Sequence, residues 1–148
     1  MAKLDDVSWH AGGDYFPPGL PDENGATHIG FFVTWTIRND QWSNFLGPAA
    51  AAGIEAVRSG QLSGREFLLR QCDGKLLTEM LKPEFIPFAE PYYRRKFTRD
   101  YQRTLAAGLT SDYLVEDTEA NYRKIAAVIE QRFNDWRIRG SRPWWQFW

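Results

Sequence analysis

A chain of 148 residues is the size of one ordinary domain and is long enough to bury a real core. Its 43% hydrophobic, 16% aromatic and 25% charged content excludes a disordered or low-complexity protein. A net charge of −1 is not that of the strongly basic domain that general nucleic-acid binding usually needs.

The charge is nonetheless unevenly spread. Residues 1–74 hold five Lys/Arg against nine Asp/Glu, and residues 75–148 hold thirteen against ten. An acidic front and a mildly basic back suit contacts with other proteins. Cys72 is alone, so no internal disulfide is expected. The opening MAKLDDVSWH has no apolar run of the signal-peptide kind, and no stretch reaches the ~18 consecutive apolar residues of a membrane span. A cytoplasmic protein with no membrane contact is the expectation.

Residues 1–25 read as an arm. The stretches GGD, FPPGLP and ENG break regular structure. Ordering each backbone residue costs about 1–2 kcal/mol, so an ordered arm must bury something. Trp9, Tyr15, Phe16 and Leu20 are the available anchors. On that reading Trp9→Ala costs about 3–5 kcal/mol, as large-to-small core changes do.

Thr27 is placed to cap a helix over HIGFFVTWTIRN. Its apolar residues cover nearly the whole circumference, which is the pattern of a central helix continuing towards NDQWSNFL. PAAAAGIEAVRSG opens with proline and stops at Gly60. SGREFLLRQCDG is a short helix with Ser63 as its cap and Gly74 as its stop. KPEFIPFAEPYY carries three prolines and cannot be one straight helix. Tyr93, Phe97, Tyr101 and Leu105 then repeat every four residues, and Arg95, Arg99 and Arg103 repeat two positions later. Two positions are about 200° around a helix, so the arginines take the opposite face. A last helix starts near Asp117 or Thr118, carries the stripe Tyr122, Ile125, Ile129, Phe133 and Trp136, and ends near Gly140. Residues 141–148 form an aromatic tail with Trp144, Trp145, Phe147 and Trp148. No segment alternates as a strand should. The fold class is therefore mainly α: one helical bundle of about five helices with a long ordered N-terminal arm.

Chemistry has few places to sit. Both histidines, His10 and His28, lie in or beside the arm with Asp5, Asp6 and Asp14. Two histidines and a carboxylate are the donor set of a mononuclear metal site, and His10 beside Asp6 or Asp14 is a plausible acid–base pair. The blander reading makes the aspartates turn caps and His28 a tie to the arm. Cys72 sits in an apolar helix, where a buried structural thiol is the usual outcome. There is no Gly-x-Ser-x-Gly, phosphate loop, dinucleotide fingerprint or zinc-type Cys/His spacing. No catalytic residue, cofactor or metal is therefore assigned from sequence. The Arg95/Arg99/Arg103 stripe has three readings: a solvated face, a surface for an acidic protein, or a phosphate grip for nucleic acid.

The opening DDVSWHAGGDYFPPGLPDENGATHIGFFVTW and the ending PWWQFW resemble a family of small, uncharacterised bacterial cytosolic proteins. That family shares Asp-Asp-x-x-Trp-His, Gly-Gly-Asp and Gly-x-Thr-His-Ile-Gly. Proteins of this size and type are similar to the immunity proteins that guard against polymorphic toxins. The resemblance groups Asp5, Asp6, Trp9, His10, Gly13, Asp14, Thr27, His28 and Gly30 into one unit. It implies a binding protein that neutralises a partner, such as a cognate toxin, by occlusion. Its contact residues would be Asp5, Asp6, Trp9, His10, Asp14, His28, Arg95, Arg99 and Arg103. The alternative is a small metal-dependent or acid–base enzyme built on His10, Asp14 and His28. The third reading is nucleic-acid binding through the arginines.

Overall fold

The most apolar segment of the chain becomes its axis. In the computed structural model, which describes residues 2–141, helix α1 (Thr27–Arg38) has only His28 and Arg38 short of full burial. Helices α2 (Ala51–Ser59) and α3 (Gly64–Gln71) pack on it from one side. The long helix α6 (Glu119–Ser141) packs on it as well. Between them runs α4 (Ile86–Tyr92), a widened π turn (Tyr93–Phe97) and α5 (Thr98–Leu105), with no break in the helical path. The expected mainly helical single bundle is what forms.

Local sequence explains the starts and stops. Ser63 Oγ accepts from the Glu66 N–H at 3.1 Å and begins α3. Thr118 Oγ1 does the same for Asn121 at 3.1 Å and begins α6. α2 ends at Gly60 in the left-handed conformation, as its sequence predicts. The contact between α1 and α3 is glycine on glycine. A Cβ on Gly64 would stand 2.1 Å from the Gly30 carbonyl oxygen and 2.1 Å from Thr34 Oγ1, so the helices meet backbone to backbone.

The every-fourth-residue stripe has a structural counterpart. In a 3.6-residue helix, steps of four overshoot by about 40° each. The π turn holds more residues per turn and takes up part of that drift just where Tyr93 and Phe97 lie. Tyr93, Phe97 and Tyr101 are all buried. Pro91 sits inside α4 directly ahead of the wide turn, a place where helices bend. The core is largely aromatic: Phe32, Trp35, Phe85, Phe88 and Phe133 form one chain of ring contacts. Asp100 joins α5 to α6 through a two-pronged ion pair with Arg132, at 3.0 and 2.9 Å.

Four expectations from sequence are corrected. The chain does contain strands: β1 (Lys3–Asp6) pairs antiparallel with β2 (Lys75–Leu77). A bulge at Leu4 shifts the register, so Leu4, Asp5 and Asp6 are all buried and the alternation that marks a strand is lost. Thr27 is the first residue of α1, not its cap. A 3₁₀ turn (Asp22–Ala26) runs straight into the helix, and the Thr27 hydroxyl instead accepts from Arg65 at 3.2 Å. α1 stops at Arg38, because Asp40 turns the chain with a φ of 58°. The fourth correction concerns the arm. Trp9 is 54% exposed and Tyr15 is 92% exposed, so neither ring anchors it. The aromatic tail falls at residues 142–148, outside the described residues apart from its first position.

Candidate functional site: a carboxylate clamp under a displayed arm

The arm is held by polar groups. Its strand ends at Asp6, whose carboxylate caps the turn Val7–Trp9. Asp6 Oδ1 accepts from the Ser8 N–H at 2.9 Å and the Ser8 hydroxyl at 2.8 Å, and Oδ2 receives Lys3 at 2.9 Å. That turn swings His10 back over the strand it has just left. There its Nε2 meets Asp5 Oδ1 at 2.6 Å. His28, in the first turn of α1, brings its Nε2 to 3.1 Å from Asp5 Oδ2. The Tyr93 hydroxyl donates to the same Oδ2 at 2.5 Å, and the Asp6 N–H donates to Oδ1 at 2.8 Å. One buried carboxylate thus ties together the arm, α1 and the π turn.

The groups around the histidines are equally specific. His10 Nδ1 lies 2.7 Å from the Tyr113 hydroxyl. The Tyr113 carbonyl accepts from Asn24 at 2.9 Å, and the Phe16 ring packs on its ring at 5.0 Å. The two imidazoles stand edge to face with centroids 4.5 Å apart.

Charge in this cluster is well defined. Burial pushes the Asp5 carboxyl up, but hydrogen bonds from His10 and His28 and the histidines' charge outweigh it. The group is held well below the usual carboxylate range and is an anion at any ordinary pH. Burial, and then the Asp5 charge, push the Tyr93 phenol well above 10, so it serves as a neutral donor. Donor atoms of Asp5, His10 and His28 lie within 4.8 Å of one another and are the residues that could hold a metal. Beside them is a cavity of about 40 Å³ lined by His10, His28, Thr98, Tyr101, Asp112 and Tyr113. The Tyr101 hydroxyl is buried and has no hydrogen-bond partner among the described residues.

The structure brings together Asp5, His10 and His28 from the sequence-derived set, with Asp6 bracing them. It separates the others. Asp14 is exposed, and the carboxylate that meets both imidazoles is Asp5, not Asp6 or Asp14. The reason is the tight turn capped by Asp6, which returns His10 to the strand and leaves the later loop outside. Trp9 reaches out over Lys3, whose ammonium is 5.9 Å from its ring. Arg95, Arg99 and Arg103 are exposed on the helical face opposite the buried tyrosines, as their spacing predicts. Arg95 also borders a groove of about 330 Å³ that includes Lys96, Arg132, Trp136 and Arg139. Cys72 is buried, and burial pushes its thiol up to about 12, which fits the structural role read from sequence. Sequence reasoning missed Tyr93, Tyr101 and Tyr113. The first two are hidden in a core stripe, and the third lies in a loop with no pattern to mark it.

Residues 3–115 match a family described as a domain of unknown function, DUF7832. The chain belongs to that family. The matched stretch contains every member of the clamp, from Asp5 to Tyr113, and stops before α6. No curated protein and no solved structure matches the chain. Among the described residues, no helix is long and apolar enough to cross a membrane.

Proposed function

We propose that this protein binds another protein through its N-terminal arm and neutralises it by occlusion, in the manner of an immunity protein. The observation that carries this reading is the display of Tyr15 and Trp9, 92% and 54% exposed, on an arm that is ordered by a buried polar clamp. Large rings held out to water by a rigid support are the anchors that protein interfaces use. Ordering the arm in advance removes an entropic cost from binding. Asp14, Asp22 and Glu23 are exposed along the same arm. They give it a negative surface that favours a partner with a basic one, and attraction of that kind speeds association. A nucleic-acid-cleaving toxin is a partner of that chemistry, because it must carry positive charge to hold phosphates.

The test is co-expression with the protein encoded beside this chain. The expected result is a stable complex and rescue of growth, both lost in a Trp9→Ala/Tyr15→Ala double variant that stays folded. Absence of a complex together with failure to rescue overturns the proposal. Full activity of the double variant overturns the role given to the arm.

A further inference from the structure

The clamp has the composition of a metal site as well as of a structural tie. We infer that Asp5, His10 and His28 bind one first-row divalent cation, with zinc or iron(II) as the chemical class, and that Tyr101 faces its open coordination position.

The cluster holds one carboxylate and two imidazoles. Two imidazole nitrogens and one carboxylate oxygen are the donors of three-ligand zinc and non-haem iron sites. His10 Nε2 is 2.6 Å from Asp5 Oδ1 and His28 Nε2 is 3.1 Å from Asp5 Oδ2, and a set of one donor atom from each residue lies within 4.8 Å. Tetrahedral donors on one ion at bonds of ~2.1 Å stand ~3.4 Å apart, so the His10–Asp5 pair opens by under about 1 Å and the widest pair closes by at most about 1.4 Å.

The surroundings support His10 and Asp5 as ligands. With Nε2 of His10 on the ion, its remaining proton sits on Nδ1 and donates to the Tyr113 hydroxyl 2.7 Å away. Metal-bound histidines almost always have such a partner. Asp5 loses its bonds from the two histidines but keeps those from Tyr93 and the Asp6 N–H, which orient it. A neutral imidazole already carries one proton, so binding needs only that proton on Nδ1. The cavity of about 40 Å³ has room for one water on the ion. The Tyr101 hydroxyl, 2% exposed as a residue and without a partner among the described residues, lines that cavity and would find its partner there.

The test uses the full chain purified without a histidine tag and stripped with chelator. Titration with Zn²⁺ is followed by calorimetry, and titration with Co²⁺ by visible absorption. One equivalent of metal is expected, with a raised melting temperature. His28→Gln should weaken binding at least about 100-fold, Tyr113→Phe about 10- to 100-fold, and Cys72→Ala not at all. The chain has only two histidines, so imidazole ¹⁵N NMR of the unaltered protein reads the site directly, whether or not any variant folds. Zn²⁺ should move both Nε2 resonances. If neither moves, or only one, or if His28→Gln binds as tightly as the parent, the inference is wrong. None of these readouts depends on a protein partner, so this test and that of the arm can fail separately.

Discussion

Replacing Asp5 with alanine tests whether the arm is held by one carboxylate. The side chain accepts four hydrogen bonds, from His10, His28, Tyr93 and the Asp6 N–H. Tyr93 and Asp6 are buried, and a buried donor left without a partner costs about 1–3 kcal/mol. The histidines are nearer water and recover part of their loss by hydration. Deleting one partner from a buried charged cluster costs about 3–5 kcal/mol, and the two buried donors together reach the same range. Asp5→Ala should therefore destabilise the domain by about 3–5 kcal/mol, which for a chain of this size is a fall in melting temperature of roughly 10 °C. Urea unfolding at neutral pH is the assay, with the slope m unchanged so that the midpoint reports stability. Asp5→Asn keeps one acceptor oxygen and should fall between alanine and the parent. Asp14→Ala, on the exposed loop, should stay within about 0.5 kcal/mol of it. A loss below about 1 kcal/mol for Asp5→Ala would refute the clamp.

Three further outcomes are expected. Trp9→Ala should cost no more than about 1 kcal/mol by urea unfolding, since a half-exposed ring leaves no core cavity; a loss of 3 kcal/mol would restore the apolar anchor that sequence alone suggests. Gly64→Ala should destabilise by more than about 3 kcal/mol, because its Cβ would stand 2.1 Å from the Gly30 carbonyl oxygen, whereas Gly108→Ala meets nothing within 4 Å and should be near neutral in the same thermal melts. Burial raises the Asp100 carboxyl, but its bonds from Arg132 and Tyr92 outweigh that and leave it below the ordinary aspartate range. Its contribution to stability is thus complete above pH 4 and lost as pH falls through the lower folded value. Asp100→Asn should flatten the acid limb of the stability profile, and an unchanged limb would show that Asp100 is not its source.

The helices were legible because their signals are local. Ser63, Gly60 and the Tyr122/Ile125/Ile129/Phe133 part of the last stripe each act within a turn or two of chain and do in the fold what the sequence says, whereas Trp136, the stripe's last member, is 39% exposed. The strands were not legible, because the Leu4 bulge erases alternation and β2 has only three residues. The site was half legible. Two histidines in a glycine-rich opening pointed to the right place, but which aspartate serves them depends on the turn that Asp6 makes. Tyr113 is 103 residues from His10 in the chain, and only the closure of the bundle joins them.

The arm inverts the usual division of labour between apolar and polar side chains. Asp5 and Asp6 are buried, while Trp9 and Tyr15 face water. Apolar anchoring would have used up the rings that an interface needs. A buried carboxylate with four donors fixes the arm by directional bonds and leaves those rings available. The cost is that Asp5 can be buried only while its donors stay in place, so the position of the arm depends on His28 of α1 and Tyr93 of the π turn. A change at either residue would be felt at Trp9 and Tyr15 without touching them. On this argument the clamp and the displayed surface are one device. The aspartate determines where the rings point, and the bundle beneath keeps the aspartate in its place.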